Sequence, residues 1–390
     1  MSNIIDRRTL LQGGGALVVS FALPLSLADA TRVVGPKIVS SDRVDGFLAI
    51  APDGGITIYS GKVDLGTGVR TALTQIVAEE LDVPMIHVSL IEGDTALTPD
   101  QGVTSGSLSI QNGGMQLRRA AATARRAILQ KAAARLRRDI ASLSIHKGTI
   151  TAGDGRRLPI GEFVDRATLA IEIANDVREK SPSAYTIVGE PVARLDIPDK
   201  VSGRFTFMQD FKLPGMLHGR VVRPSGFGAT LISYDEASIA HIPGIVKVVR
   251  IHNFLGVVAN SEWGAIRGAQ QLAVTWSKQE SLPEQSRIWE HVRSTPVVHD
   301  DVTSRIGDSR AALDDTLHKL SATYDFAIHT HGSIGPSCAV AEFTDGKLTC
   351  WTASRFPMPM CAAFMSKGRA ATAGTDTRMP RPTQPCSRAR

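Results

Sequence analysis

SGKVDLGTGVRTALTQIVAEEL, Ser60–Leu81, holds the end of a strand, a two-glycine turn and a helix. Its first residues close a hairpin: Asp45–Val63 alternates apolar and polar residues as GFLAIA and ITIYSGKV around PDGG, a turn signal. Gly66 and Gly68 then turn the chain, and Leu73, Ile76, Val77 and Leu81 recur at the spacing of one helix face. The next apolar run, IHVSLIEGDT (Ile86–Thr95), reads as a strand. Strand, helix and strand in that order predict an αβ unit and place the chain in the α+β class.

Further along, PDQGVTSGSLSIQNGG (Pro99–Gly114) is a Gly/Ser loop, and Met115–Ile140 is a helix with Lys or Arg at 118, 119, 125, 126, 131, 135, 137 and 138. That basic stripe is read as a solvated face, with docking to an acidic partner subunit as the alternative. Residues 141–188 hold a small hairpin around AGDGRR and a short helix. Gly203–Trp276 reads as a second αβ unit: strands MLHGRVVR and IVKVVRI either side of helix YDEASIAHI, then strand FLGVVA, helix EWGAIRGAQQLA and strand VTW. Residues 278–310 are polar and linker-like. A third unit opens with strand KLSATYDFAIHTHG and a hairpin, CAVAEFTDGKLTCWTAS, turned at Asp345-Gly346, and its sheet has only begun when the composition changes.

At 390 residues the chain can bury two or three cores, and 43% apolar with 21% charged residues is ordinary for a globular protein. The net charge of +6 does not mark a nucleic-acid binder. Lys367, Arg369, Arg378, Arg381, Arg388 and Arg390 stand against Asp376 alone, so five of the six net charges lie in Ser366–Arg390 and the remainder is nearly neutral. Asp6-Arg7-Arg8-Thr9-Leu10-Leu11 is a twin-arginine pattern, followed by the apolar run Gly15–Leu27 and the small-residue site Ala28-Asp29-Ala30. A bilayer span needs ~20 apolar residues. This run is shorter and broken by Pro24, so the reading is twin-arginine export to the periplasm with cleavage near Ala30, and no stable membrane span. The four cysteines, Cys338, Cys350, Cys361 and Cys386, form no CxxC and no Cys/His cluster, so an iron-sulfur cluster or c-type haem is not expected on this chain and electrons would leave through another subunit.

Gly66-Thr67-Gly68 at a helix start exposes backbone amides, with Thr71 one turn inside, and such a terminus can bind phosphate; a plain tight turn is the other reading. The loop adds Thr104, Ser105, Ser107, Ser109, Gln111 and Asn112 among glycines, hydroxyls and amides suited to a polar heterocycle or a diphosphate, or else to solvent. His329 and His331 share a strand face without a nearby third ligand, which favours packing over metal binding. Asp64 and Glu92 are acid/base candidates that nothing in the sequence pairs. Ser105 lacks the G-x-S-x-G elbow of a serine hydrolase.

In order, SGKVDLGTGVRTALTQIVAEEL, GDTALTPDQGVTSGSLSIQNGG, VGEPVARLDIPDKVSGRFTFMQDFKLPGMLHGRVVRP and HGSIGPSCAVAEFTDGKLTCWTAS resemble the molybdenum-binding large subunit of the xanthine oxidase family, nearest the exported isoquinoline 1-oxidoreductase β-subunit type. The resemblance runs from about Asp45 to Ser354. It implies a signal peptide at 1–30, a molybdopterin-binding αβ segment at 31–150 and a connecting segment at 151–188. An a/b hammerhead domain of the aldehyde oxidase/xanthine dehydrogenase type would follow at 189–278, then a linker at 279–310. The truncated start of a second molybdopterin-binding αβ domain would occupy 311–354. The implied cofactor is molybdenum-molybdopterin cytosine dinucleotide, held by Gly66, Thr67, Gly68, Thr71, Thr104, Ser105, Ser107, Ser109, Asn112 and Gly113. Many relatives have Gln where Thr67 stands, and the shorter side chain does not make the reach of Gln to an oxo ligand. The family hydroxylates an electrophilic carbon of an N-heteroaromatic ring or an aldehyde with oxygen from water. Electrons pass to a small subunit with two two-iron two-sulfur clusters, and a c-type cytochrome is a candidate final acceptor. The alternative is a non-catalytic exported protein of the same fold that binds a partner or a nucleotide.

The family's base is a glutamate near its C-terminus, so no catalytic residue is expected among those named. Its Gly-rich loop, of the form E-G-A-G-C-Y-G-x-N-G followed by D-A-A and D-A-A-L-L, is also not found in this sequence. Residues 355–390 have an alternative origin: reading the last base of each codon from Gly368 with the first two of the next permits A-G-C-Y-G-x-N-G-x-x-D-A-A-A-D-A-A-L-L. The expectation is a frameshift between Ser354 and Gly368 and a chain inactive alone; a disordered basic tail is the other reading. Sequencing the gene downstream of the Ser354 codon should reveal an open alternative frame encoding that loop, and early stops there would rule the shift out.

Overall fold

Leu48–Ile50 (β1) and Ile56–Ser60 (β2) pair antiparallel as their alternation dictates, with Ile50 opposite Ile56 and the turn closed through Gly54 at φ 86°. The computed structural model describes residues 39–278, 282–330, 332–335, 337–345, 347–355 and 370–374. The twin-arginine leader, His331, Cys361, Cys386 and most of the tail lie outside them. Among the described residues no helix is long and apolar enough to cross a membrane. The described chain is mixed α and β and divides into two compact units, one running to Phe211 and resuming at Gly335, the other Lys212–Ile334.

In the first unit the helix predicted after the glycine turn is α1 (Val69–Leu81), and Val88–Glu92 (β3) returns parallel to β2, in the order β1-β2-β3. Leu73, Val77 and Leu81 are buried and Ile76 is half-buried, the face that the spacing predicts. Each fully buried aliphatic side chain of this kind stabilises by about 1.5–3 kcal/mol. Against α1 packs α2 (Met115–Leu136), whose buried face is mostly small: Ala120, Ala121, Ala124 and Ala132 with Leu117 and Ile128. The loop before it ends in a π-helical turn, Ser109–Gly114, that runs directly into α2. A Cβ at Gly114 would sit 2.9 Å from Ile76 Cδ1, so glycine permits this close approach. The helix ends at Leu136, short of the predicted Ile140, because Arg137 adopts the left-handed conformation at φ 51°. Leu143–His146 (β4), Thr149–Ala152 (β5) and Arg157–Pro159 (β6) form a small antiparallel sheet whose Leu143, Ile145 and Ile150 join the same core.

The basic face of α2, half exposed over much of its length, is paired with acidic side chains of this same chain. Arg118 and Arg125 pair with Glu80, Arg118 also with Glu179, Arg126 with Asp176, Lys131 with Asp165, Arg135 with Glu162 and Arg138 with Asp154. The counter-ions come from the chain's own returning segments, which a one-dimensional charge count does not see. Glu79, also buried, accepts from the amides of Thr186, Ile187 and Val188 at 2.9, 2.6 and 3.0 Å and from Lys180 Nζ at 3.0 Å.

The second unit holds an antiparallel sheet of His218–Val222 (β7), Phe254–Ala259 (β10) and Ile245–Ile251 (β9), with β10 central. Beside it Leu231–Asp235 (β8) pairs with Ala273–Trp276 (β11). The stretch YDEASIAHI therefore does not form the expected helix: Tyr234 and Asp235 end β8, with Tyr234 opposite Val274, and Asp235 caps only a single 3-10 turn, Glu236–Ile239. Pro243 prevents any longer helix. The helix over EWGAIRGAQQLA forms as α3 (Glu262–Gln271), capped by Ser261, and Gly268 faces Val257 where a Cβ would lie 2.7 Å from Cγ1. The linker-like stretch includes a short exposed helix, α4 (Ile288–Ser294). No strand forms over Lys319–Thr330, where Tyr324, Phe326 and Ile328 stay exposed, because no neighbouring strand among the described residues offers ladder bonds.

Ala339–Thr344 (β12) and Lys347–Thr352 (β13) form the predicted hairpin, with Asp345 left-handed at φ 53°. Ala370–Gly374 (β14) pairs parallel to β13, so part of residues 355–390 is strand, which the disordered-tail alternative does not accommodate. Replacing Glu79 with Ala should destabilise the first unit by about 3–5 kcal/mol by stranding three amides and leaving Lys180 with Asp82 alone, whereas Arg126→Ala, which breaks a more exposed pair, should cost under about 1 kcal/mol. Hydrogen exchange of the α1 amides in the two variants checks the contrast.

Candidate functional site

The glycine turn is already satisfied from inside the chain. Gly66 and Gly68, at φ 102° and 83°, turn their amides onto Asp64 Oδ1 at 2.7 and 3.2 Å, while Arg70 N donates to Asp64 Oδ2 at 3.1 Å. The positive end of α1 thus receives a carboxylate of its own, which contributes the stabilisation an external phosphate would supply. From the other side Arg194 Nη1 donates to Gly66 O at 2.9 Å, and Leu195 N donates to Thr71 Oγ1 at 3.0 Å. Arg194 is itself held by Asp196 through bonds of 3.0 and 2.7 Å. Thr71 is buried as part of this clamp, while Thr67 is exposed and its hydroxyl bonds to none of the described residues.

The Gly/Ser loop is fastened to the end of β2 at both of its own ends. Gln101 Oε1 accepts from Ser60 Oγ at 2.8 Å and Gly61 N at 2.9 Å, and its Nε2 donates to Gly113 O at 3.2 Å and Gln116 Oε1 at 2.8 Å. Lys62, only 2% exposed, donates from Nζ to Val103 O at 2.9 Å and Gly102 O at 3.4 Å. Burial pushes its ammonium below the ordinary lysine range, and Asp100 pulls the other way. Val63 N donates to Thr104 Oγ1 at 3.1 Å. Gly113 is buried against the Lys62 stem. Between these ties, the side chains of Ser105, Ser107, Ser109, Gln111 and Asn112 form no hydrogen bond with any described residue, and Ser107 is held left-handed at φ 59°.

Asp64 and Glu92, unpaired in sequence, are joined by Arg70. Its backbone serves Asp64 and its Nη2 lies 2.6 Å from Glu92 Oε2. Burial pushes the Glu92 carboxyl up to about 7, opposed by Arg70 and reinforced by the charge of Asp64, whose amide also donates to it. A cleft of about 350 Å³ adjoins this group, lined by Arg70, Ser89, Leu195, Asp196, Arg204 and Phe205 among others, and contains none of the Gly/Ser loop residues. His329 is exposed, and no cluster of three His, Cys, Asp or Glu able to hold a metal occurs among the described residues.

The structure therefore brings Thr104 and Gly113 to the strand end that leads into the glycine turn, and it sets Thr71 in the clamp behind that turn. Lys62 and Gln101 were not singled out from the sequence. The signal for Lys62 lies in the alternation: Ile56, Ile58, Ser60 and Lys62 share the inward face, where lysine is rarely tolerated. Gln101, in a polar loop, carries no such signal.

The molybdopterin cofactor-binding domain family matches residues 28–195. Over 361 residues the chain is 43% identical to one of the subunits of nicotinate dehydrogenase from Pseudomonas putida, a match covering 90% of this chain and 30% of that protein. It is 28% identical over 254 residues to the membrane-bound aldehyde dehydrogenase (pyrroloquinoline-quinone) of Gluconacetobacter polyoxogenes, covering 62% of this chain and 33% of that one. It is 25% identical over 321 residues to the β-subunit of isoquinoline 1-oxidoreductase from Brevundimonas diminuta, covering 70% and 40% respectively. The chain thus spans 30–40% of the length of these curated relatives.

Glu92 gives the site a pH signature. Its folded pKa of about 7 lies above the ordinary 4.5, so its contribution to stability is full below pH 4.5 and is lost as pH rises through 7. Relative to the native chain, Glu92→Gln should gain on the order of 2–3 kcal/mol of α1 protection between pH 4.5 and 8, because glutamine has no proton to release. Hydrogen exchange across that range, corrected for intrinsic rates, measures the difference; parallel curves would place the Glu92 carboxyl at its ordinary value.

Proposed function

We propose that this chain, which belongs to the xanthine oxidase family as part of a molybdenum-binding large subunit, holds a molybdenum-molybdopterin cytosine dinucleotide on its Gly/Ser loop and serves an exported hydroxylase. The observation that carries this reading is the loop itself. Thr104 and Gly113 are tied to the strand end, and the polar side chains between them have no protein partners among the described residues. Ser105, Ser107, Ser109 and Asn112 offer hydroxyl and amide groups able to bind phosphate oxygens or a pterin edge, and the open space beside Gly66 and Gly102 admits a ligand close to the backbone. Gly66, Thr67, Gly68 and Thr71 act here as the wall behind that site, shaped by Asp64 and Arg194.

When bound, the cofactor supplies the two-electron oxidation that converts a substrate C–H to C–OH with oxygen from water, releasing two electrons and two protons. The protein's residues hold and orient it. The electrons leave through a small subunit with two two-iron two-sulfur clusters and on to a c-type cytochrome. The likeness to a nicotinate dehydrogenase favours an N-heteroaromatic substrate over an aldehyde. Residues 189–278 are read as the hammerhead domain, most of which falls in the compact unit that begins at Lys212, and the Arg7-Arg8 leader as the address for folded export to the periplasm.

The test is to express the full chain with its partner subunit in a host that makes the cofactor, then analyse the exported protein. Molybdenum and acid-released cytidine monophosphate should co-purify with it, and Arg7→Lys with Arg8→Lys should retain it in the cytoplasm. Folded, exported protein carrying neither would favour a non-catalytic binding role, and a quinone chromophore in place of molybdenum would overturn the cofactor assignment.

A further inference from the structure

We infer that Lys62 and Gln101 are positioning residues that preform the cofactor loop, fixing where residues 105–112 stand before any ligand arrives. The inference rests on the proposed cofactor-binding role of that loop. Its structural part stands on the bonding pattern alone. A single carboxamide bridges three segments: Gln101 uses its oxygen for Ser60 and Gly61 at the end of β2 and its nitrogen for Gly113 and Gln116 at the start of α2. Two acceptor and two donor contacts exhaust its capacity, so no other orientation of the amide serves all four partners. Lys62 reaches the loop entrance and donates to the carbonyls of Gly102 and Val103 across forty residues of sequence.

A lysine that merely filled space at this inward position would be better replaced by methionine, since burying an ammonium costs more than burying a thioether. What Lys62 adds is two bonds to backbone that has no ladder of its own. Gly102, at φ 72°, is the point where the loop turns over it. Gly113 is its counterpart on the exit side: a Cβ there would stand 2.7 Å from Lys62 Cγ and 3.3 Å from Cε. Entrance and exit are therefore pinned to one strand end, and the unbonded side chains lie only between them. A loop ordered in advance does not have to lose its backbone freedom on binding, which at roughly 1–2 kcal/mol per residue is a large share of any affinity.

Three variants of the full chain test this: Lys62→Met, Gln101→Leu and Gly113→Ala. The last removes no hydrogen-bonding group and acts only by displacing the Lys62 stem. Each should raise amide exchange of residues 102–112 by about tenfold or more and lower co-purifying molybdenum about tenfold, on the fold-per-kcal scale of ordinary hydrogen-bond losses. Exchange in α1 and in the Ala120–Ala132 stretch of α2 should stay as in the native chain, and that separates positioning from general destabilisation. Lys62→Met and Gly113→Ala combined should do little more than either alone, since both break the same contact. Loop exchange and metal content unchanged in all three variants would overturn the inference, as would loss of protection spread evenly over both helices. If the native chain carries no molybdenum, the functional reading fails by itself, and the exchange arm still decides whether these two residues set the loop.

Discussion

Two buried carboxylates organise the first unit. Glu79 and Glu80 sit near the end of α1 in the core, 1% exposed each, and a charge so placed is tolerated only with several donors aimed at it. For Glu80 these are Arg118 and Arg125 from α2 and the amide of Lys180; for Glu79 they are Lys180 Nζ and three successive amides at 186–188. Satisfying them draws the returning segment across α1. The same segment then delivers Leu195 to Thr71 and Arg194 to Gly66. The shape of the glycine turn thus depends on an electrostatic requirement at the opposite end of the helix that follows it.

The site that results divides its labour differently from what a phosphate-binding helix terminus would suggest. The amides at the start of α1 are taken by Asp64, and they contribute shape and rigidity. The polar side chains left without partners among the described residues lie instead in the Gly/Ser loop, between fastenings that are buried. Arg70 links the two carboxylates behind the turn, and Glu92, deepest of the three groups, has its proton held to about pH 7 by burial. An acid that titrates near neutrality behind the glycine turn couples the local packing to pH without itself facing solvent.

The β1–β2 hairpin, α1, β3 and the β12–β13 hairpin were legible because each carries its own periodicity and its own turn chemistry, at PDGG, at Gly66 and Gly68, and at Asp345-Gly346. The misreadings share one cause. YDEASIAHI has an acceptable helix pattern until β11 offers Tyr234 a partner, and KLSATYDFAIHTHG has a strand pattern without a neighbour to complete it. The basic stripe on α2 was visible, but its carboxylate partners lie up to 61 residues further along, at Glu179. Thr104 and Gly113 could be named from a motif, whereas Gln101, which fastens the loop to β2, could not.

By itself the sequence determined the local alphabet of this protein: which stretches alternate, where glycine frees the backbone, and which loop is rich in hydroxyls and poor in anything that packs. Those properties depend on neighbours within a few residues, and so they are written in order along the chain. Only the tertiary structure decided which charges meet, which amides are already spoken for, and which polar side chains are left without partners. Those outcomes turn on distances of about 3 Å between groups tens of residues apart, such as Lys62 and Val103, and chain order carries no measure of that separation.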